Sequence, residues 1–393
     1  MKIVTLRGYT NTIILIGILV VNAIYESELG GSGTIYNSIG FLLAVAFCFL
    51  NHHICRSLAT FFIVPILFLA LSAVVNLSHT QSGGFNSMVA IFVGYVLLTL
   101  QPFTLDRVLM RRLIILYLIA SLILSLYVTR DNLSLYLVTG NANFNLNPNA
   151  ASIFFSSCLI LSLVFTKSFL RWALVIMTSL LVLTTGSRAG LIVCPMLLAG
   201  YVFFGMEGQH RRFLTKSKIA FLVVVATIPL LASYLIPDSM GYIMSRVSNT
   251  GLVSTSNLTR PTGHDRDDIW QDALELSGRS LKSVLFGYGP ATAVDLIDSG
   301  THSSYVEAIT SAGWPFLIFT LLALLFLFRY HIKHGQREFL IYAIPILIYG
   351  MVETVLFNGL GNLWYILIFL SLYYRSTGSD QVLPKGKYVN HYC

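Results

Sequence analysis

Residues 173–204 read ALVIMTSLLVLTTGSRAGLIVCPMLLAGYVFF, and Arg188 is the single charged residue among them. A surface helix of a soluble protein carries a charged face opposite its apolar stripe. Neither side of Arg188 has one. Continuous apolar sequence suits the ~30 Å hydrocarbon core of a bilayer, which about 20 helical residues cross. A guanidinium at mid-bilayer is costly, but the residues beside it remove the difficulty. Gly186 interrupts a helix and Ser187 is a favoured N-cap for a new one. The stretch therefore resolves into two spans joined by a tight turn, with Arg188 at the membrane surface.

The rest of the chain follows the same pattern. Of 393 residues, 55% are hydrophobic and 11% charged, against roughly 25% charged in soluble domains. Window hydropathy gives about twelve spans, near 10–25, 34–50, 58–76, 84–101, 112–129, 148–166, 169–186, 189–205, 218–236, 303–328, 338–356 and 360–375. The expected fold class is all-α, a polytopic integral membrane protein. The alternating ten-residue segments of a transmembrane β-barrel are missing. Lys2 and Arg7 before the first apolar run resemble the start of a signal peptide. No small-residue cleavage site follows, so the run reads as an uncleaved first span.

Placing the N-terminus in the cytoplasm puts 18 of the 25 Lys and Arg residues on the inner side, as the positive-inside rule requires. Both termini are then cytoplasmic. The net charge of +8 is mostly an orientation signal. Scattered over short loops rather than gathered on one face, the basic residues argue against nucleic acid. The remainder lie outside: Arg130, Arg188, Arg246, Arg260, Arg266, Arg279 and Lys282. The long excursion 237–301, between spans nine and ten, faces the same outer side. The expected organisation is a single transmembrane domain, 1–376, carrying this loop, followed by a polar cytoplasmic tail, 377–393, with mobile chain from Ser376 onward. Within the loop, RDDIWQDALELS (266–277) sets Ile269, Ala273 and Leu276 on one helical side. No internal repeat or inverted half-to-half symmetry of the transporter kind is visible.

Cys48, Cys55, Cys158 and Cys194 fall in or beside spans and Cys393 stands last, so no outer disulfide and no zinc spacing is expected. His52 and His53 lack ligand partners and read as a solvated loop. The DRD at 265–267 has the form of a metal-binding DxD, but such motifs serve nucleotide sugars, which are absent outside the inner membrane. No metal or cofactor is expected.

Three outer segments carry the candidate chemistry: GHDRDDIW (263–270), LFGYGPAT (285–292) and THSSYVEAITSAGWPF (301–316). With the turn at Arg188 they bring Arg188, Arg266 and His302 to one membrane face. Two guanidinium forks suit a divided anion such as a pyrophosphate, and a histidine suits proton removal from a hydroxyl near neutral pH. Each residue also has a plainer reading. Arg188 can snorkel to headgroups, Arg266 can pair with Asp265, Asp267 or Asp268, and His302 can be a solvated helix-start residue. Glu307 lies inside a span, where a carboxylate calls for a partner or a function. It can orient His302 or an arginine, or reach a sugar hydroxyl. Asn147 and Asn149 in NFNLNPNAAS (143–152) are candidate sugar-binding amides or parts of a helix-entry turn at Pro148. Tyr288, Tyr305 and Trp314 can stack on sugars or belong to an interfacial aromatic belt.

At these residues the chain resembles the O-antigen ligase and polymerase family of bacterial envelope polysaccharide enzymes. The resemblance rests on TGSRAG (185–190), Arg266 with DIW (268–270), LFGYG (285–289) and HSSYVEAITSAG (302–313), in that order and with one large outer loop. It implies an undecaprenyl-pyrophosphate-linked glycan donor, a lipid-linked glycan or lipid A-core acceptor, and an inner-membrane enzyme with a periplasmic site. A chain-length regulator is a further partner it allows. Position by position, it implies that Arg188 and Arg266 hold donor pyrophosphate and that His302 assists the acceptor hydroxyl. Ligase-like members tend to show Gly, Thr or Tyr three residues beyond the Gly that Gly313 matches. Phe316 stands there instead, so a polymerase is expected first, a ligase second, and a transporter of lipid-linked sugars third.

Overall fold

A computed structural model describes residues 2–26, 33–77, 82–100, 103–129, 148–185, 187–204, 266–289, 303–352, 356 and 363–378. The expected ninth span at 218–236, most of the 237–301 loop, and Asn147 and His302 lie outside them. The described chain is helical. Its helices are α1 (Lys2–Glu26), α2 (Gly33–Leu50), α3 (Arg56–Val75), α4 (Ser82–Thr99), α5 (Arg107–Thr129), α6 (Pro148–Phe165) and α7 (Ser168–Thr184). Then come α8 (Arg188–Phe204), α9 (Arg266–Gly278), α10 (Leu281–Phe286), α11 (Ser304–Lys333), α12 (Glu338–Val352) and α13 (Leu363–Arg375).

These helices are inside-out by the standards of a soluble protein. Large apolar side chains stand fully outward, among them Phe49, Leu67, Val74, Leu116, Leu325 and Phe169, a surface that needs lipid to cover it. Among the described residues α3 and α11 are each long and apolar enough to cross a membrane, and shorter apolar helices accompany them. Two helices are buried on nearly every side, as all-round apolar sequence dictates. One is α13, buried from Leu363 to Leu372. The other is α6 between Ala151 and Leu163. They meet where Phe165 packs against Phe369 and Tyr373. Around them α1 pairs with α2, α3 runs along α4 and α11, and α6, α7 and α8 form a group that α12 joins through α8.

One end of the bundle is tied by arginines. Backbone carbonyls at helix C-termini lack intrahelical donors, and basic side chains from neighbouring elements fill several of them. Arg7 donates to the Leu50 carbonyl, Arg111 to Phe165 at 3.0 Å, Arg375 to Leu100 at 2.8 Å, and Arg171 to Thr166 and to the Tyr201 hydroxyl. Asn11 and Asn51 exchange amide hydrogen bonds, and Asn11 also donates to the Thr104 carbonyl. All these helix ends are ones the alternating topology assigns to a single side.

Two expectations need correction. The tail does not begin as mobile chain at Ser376. Thr377–Gly378 forms a short strand, β2, parallel to β1 (Thr104–Leu105), and Arg107 donates to the Ser376 carbonyl at 2.9 Å. The all-α fold therefore carries one two-residue parallel pairing. In addition α11 continues to Lys333 instead of ending near 328. Hydropathy falls at Arg329, but Tyr330 and His331 are buried and hold the helix until Gly335, in the left-handed region at φ 75°, lets it stop.

Candidate active site

The turn at Arg188 forms as its residue types require. The Thr185 hydroxyl accepts from Ser187 N at 3.2 Å and the Ser187 hydroxyl accepts from Gly190 N at 3.5 Å, so Ser187 caps α8 and Arg188 is its first residue. Gly190 is there for packing. A Cβ at that position would lie 2.2 Å from the Ser152 hydroxyl oxygen and 2.9 Å from Val182, so α6 and α8 touch through it. Asn149 stands in the first turn of α6, three residues before Ser152, about 4.5 Å along the helix axis. The starts of α6 and α8 thus bring the backbone positions of Asn149 and Arg188 to one mouth of the bundle.

Arg266 is the first residue of α9. Its helix uses the apolar side expected of it: Ile269, Ala273 and Leu276 are buried, and α9 packs on α11. A capping box between Ser280 and Ser283 starts α10. At its end lies GYG, which explains the LFGYG motif in mechanical terms. In α11, Gly313 has φ 86° and ψ 169°, a break inside the helix, and Pro315 two residues on has no N–H to give. The Thr310 and Ser311 carbonyls are thereby stripped of their helical partners. Tyr288 N donates to the first at 2.8 Å and Gly289 N to the second at 3.0 Å. The two chains come so close that only glycine fits at both contact points. A Cβ on Gly287, φ 61°, would lie 2.5 Å from the Thr310 oxygen, and one on Gly313 would lie 2.6 Å from the Leu285 carbonyl.

The start of α11 divides its residues between scaffold and chemistry. Ser303 is its N-cap, accepting from Val306 N. The Ser304 hydroxyl accepts from Leu356 N at 2.8 Å, holding the segment after α12. The Tyr305 hydroxyl donates to the Leu347 carbonyl of α12 at 2.8 Å, and that of Tyr288 to Leu276 at 2.9 Å. Both hydroxyls are engaged in packing. Glu307, half-buried in the first turn, accepts from the Ser311 hydroxyl at 2.9 Å. A carboxylate near a helix N-terminus is stabilised by the helix dipole, which with this bond accounts for its place in an apolar helix. Trp314 is exposed, as an interfacial aromatic is. Phe316 is 1% exposed and packs edge-on to Tyr95, in the core below the break.

Three helix starts therefore carry the candidate residues: Arg188 opens α8, Arg266 opens α9, and His302 directly precedes the Ser303 cap of α11. The side chains of Arg188, Arg266 and Asn149, and all of His302, lie outside the described residues. The backbone fixes α9 against α11 through the GYG contact, and α12 packs on both α11 and α8. Helix starts carry partial positive charge and free N–H groups. An arginine placed there adds to that field instead of offsetting it, an arrangement that favours a multiply charged anion.

Residues 172–321 match the family model described as O-antigen ligase. The match supports the O-antigen ligase and polymerase family, a family of membrane glycosyltransferase-like enzymes. It runs from α7 into α11 and takes in Arg188, Arg266, His302, Tyr305 and Glu307, while Asn149 precedes it. No curated protein matches the chain. Two residues that hold the joint between GYG and α11 escaped the sequence reading: Ser72 in α3 and Asn76 at its C-cap, both buried against that contact. The signal for them was present but faint, two polar residues one turn apart at the end of an apolar span.

Proposed function

We propose that this chain is an O-antigen polymerase of the bacterial inner membrane, a metal-independent glycosyltransferase of about twelve spans working at the periplasmic face. What supports it is that Arg188 and Arg266 each open a helix and that His302 directly precedes the Ser303 cap of a third in the sequence, all within the family-matched segment. The donor is an undecaprenyl-pyrophosphate-linked oligosaccharide. Its tail lies among the spans and its pyrophosphate meets the two guanidinium groups. The acceptor hydroxyl, on a lipid-linked repeat unit, gives its proton to His302 as its oxygen attacks the donor's anomeric carbon. A new carbon–oxygen bond forms at that carbon. The bond to the phosphate oxygen breaks and its electron pair leaves with undecaprenyl pyrophosphate, whose growing charge the arginines stabilise. A single displacement of this kind inverts the anomeric centre. Glu307, Asn149 and Tyr305 stand at the same end, where Glu307 and Asn149 can reach sugar hydroxyls.

A ligase, transferring the glycan to lipid A-core, is the second reading. The description of the matching family model favours it, and so does the burial of Phe316: that departure from the ligase pattern is a packing choice remote from the helix starts. A transporter fits less well, because alternating access requires both ends of a bundle to open and one end here is tied across by arginines.

The deciding experiment is a gel profile of surface lipopolysaccharide from the host with this gene deleted, complemented with wild type or with His302→Ala. Core carrying one repeat unit in the deletion identifies a polymerase. Bare core with lipid-linked polymer accumulating identifies a ligase. A normal ladder restored by His302→Ala would overturn the mechanism in either case.

A further inference from the structure

The contact between GYG and α11 has a third member that lies far outside the family-matched segment. Ser72, in the last turn of α3, is fully buried. Its hydroxyl oxygen is 2.6 Å from the Phe286 carbonyl and 2.9 Å from the Ser311 carbonyl. Asn76, the C-cap of α3, is 1% exposed. Its amide nitrogen donates to the Ser72 carbonyl at 2.9 Å and lies 3.3 Å from Phe286 O and 3.4 Å from Gly287 O. The acceptors belong to both partners: Phe286 and Gly287 close α10, and Ser311 belongs to the broken turn of α11. A helix from the first fifth of the chain thus closes the joint between two elements of the C-terminal half. The Ser311 carbonyl is shared between Ser72 and Gly289 N, and the one hydroxyl proton of Ser72 serves two carbonyls. Removing it takes one of two donors from a buried carbonyl on each side of the joint.

We propose that Ser72 and Asn76 are positioning residues for the transfer reaction: by locking α10 to the break in α11 they hold α9, and with it Arg266, at a fixed place relative to the start of α11. The inference rests on the assignment of Arg266 to the donor pyrophosphate. Neither residue touches substrate; each acts through Arg266.

The test is binding of undecaprenyl pyrophosphate to purified full-length protein in detergent, measured for Ser72→Ala and Asn76→Ala in three backgrounds: wild type, Arg188→Ala and Arg266→Ala. In the wild-type and Arg188→Ala backgrounds either change weakens binding about fivefold or more, the scale of one lost hydrogen bond. In the Arg266→Ala background it has no further effect, since the group being positioned is gone. Ser72→Thr, which keeps the hydroxyl, retains binding. Equal weakening in all three backgrounds would mean a general structural role and would overturn the proposal. Undiminished binding by Ser72→Ala and Asn76→Ala would overturn it too. Failure of the wild type to bind undecaprenyl pyrophosphate would instead remove the functional assignment itself, and the proposal with it.

Discussion

Gly313→Ala is the sharpest perturbation the structure offers. At φ 86° and ψ 169° the residue occupies a region open essentially to glycine alone, and forcing an alanine there costs about 1–3 kcal/mol. The new Cβ would stand 2.6 Å from the Leu285 carbonyl carbon and oxygen and 2.8 Å from Phe286 N. All three are backbone atoms, so no rotamer change relieves the clash and α10 has to move away. That movement breaks the bonds from Tyr288 N and Gly289 N, each worth about 0.5–1.5 kcal/mol net. Strain and lost bonds together come to roughly 2–6 kcal/mol, most of it falling on one joint. Gly335→Ala is the control. Its φ is 75° but nothing lies within 4 Å of its Cβ position, so only the left-handed penalty of about 1–2 kcal/mol applies. Hydrogen exchange on the detergent-solubilised variants separates the two. Gly313→Ala is expected to lose amide protection at Tyr288 and Gly289 and along α9, with α6 and α13 unaffected. Protection at Tyr288 and Gly289 equal to wild type would refute the joint as described.

Two further outcomes follow from packing at other points. Gly190→Ala drives a methyl group into the Ser152 hydroxyl and Val182 and is expected to cost about 1–3 kcal/mol. The Ser152 hydroxyl is buried with no hydrogen-bond partner among the described residues, so Ser152→Ala alone stabilises by about 1 kcal/mol and rescues part of the Gly190→Ala loss in the double variant; strict additivity in thermal unfolding would contradict the contact. Arg375→Gln removes a 4% exposed guanidinium that donates to Leu100 and Ser371 and is expected to cost about 2–4 kcal/mol. Its melting temperature falls while donor binding per folded molecule stays unchanged, and an unaltered melting temperature would remove the arginine ties from the account of stability.

Much of this was legible from local chemistry. Apolar runs mark most of the described helices, the Gly186–Ser187 pair marks the turn before Arg188, and the i, i+4, i+7 spacing of Ile269, Ala273 and Leu276 marks the buried side of α9. What was not legible depends on pairs distant in sequence. Ser72 meets Phe286 across 214 positions, and no periodicity announces such a partner. The glycines of LFGYG and SAG permit close backbone approach, and the sequence does not say to what. Here the thing approached is the chain itself. In the same way the HSSY serines and tyrosine prove to be a cap, a tether and a strut, and Glu307 further along the motif accepts from Ser311. The two-residue pairing of Thr377–Gly378 is too short to show any alternation.

The central place of α13 has a consequence for how the molecule is made. Trp364 sits so close to α4 that a Cβ on Gly94 would lie 2.7 Å from its indole nitrogen, and the helix is buried almost from end to end. Yet α13 leaves the ribosome after every other described helix. At roughly 5–20 residues per second, the 270 positions between Gly94 and Trp364 occupy on the order of 14–54 seconds. During that interval α1, α4 and, once it is made, α6 sit in the bilayer around an axis that has not arrived. Assembly is therefore an act of late insertion, and a nascent chain halted before Leu363 presents the membrane's quality-control proteases with a ring lacking its hub.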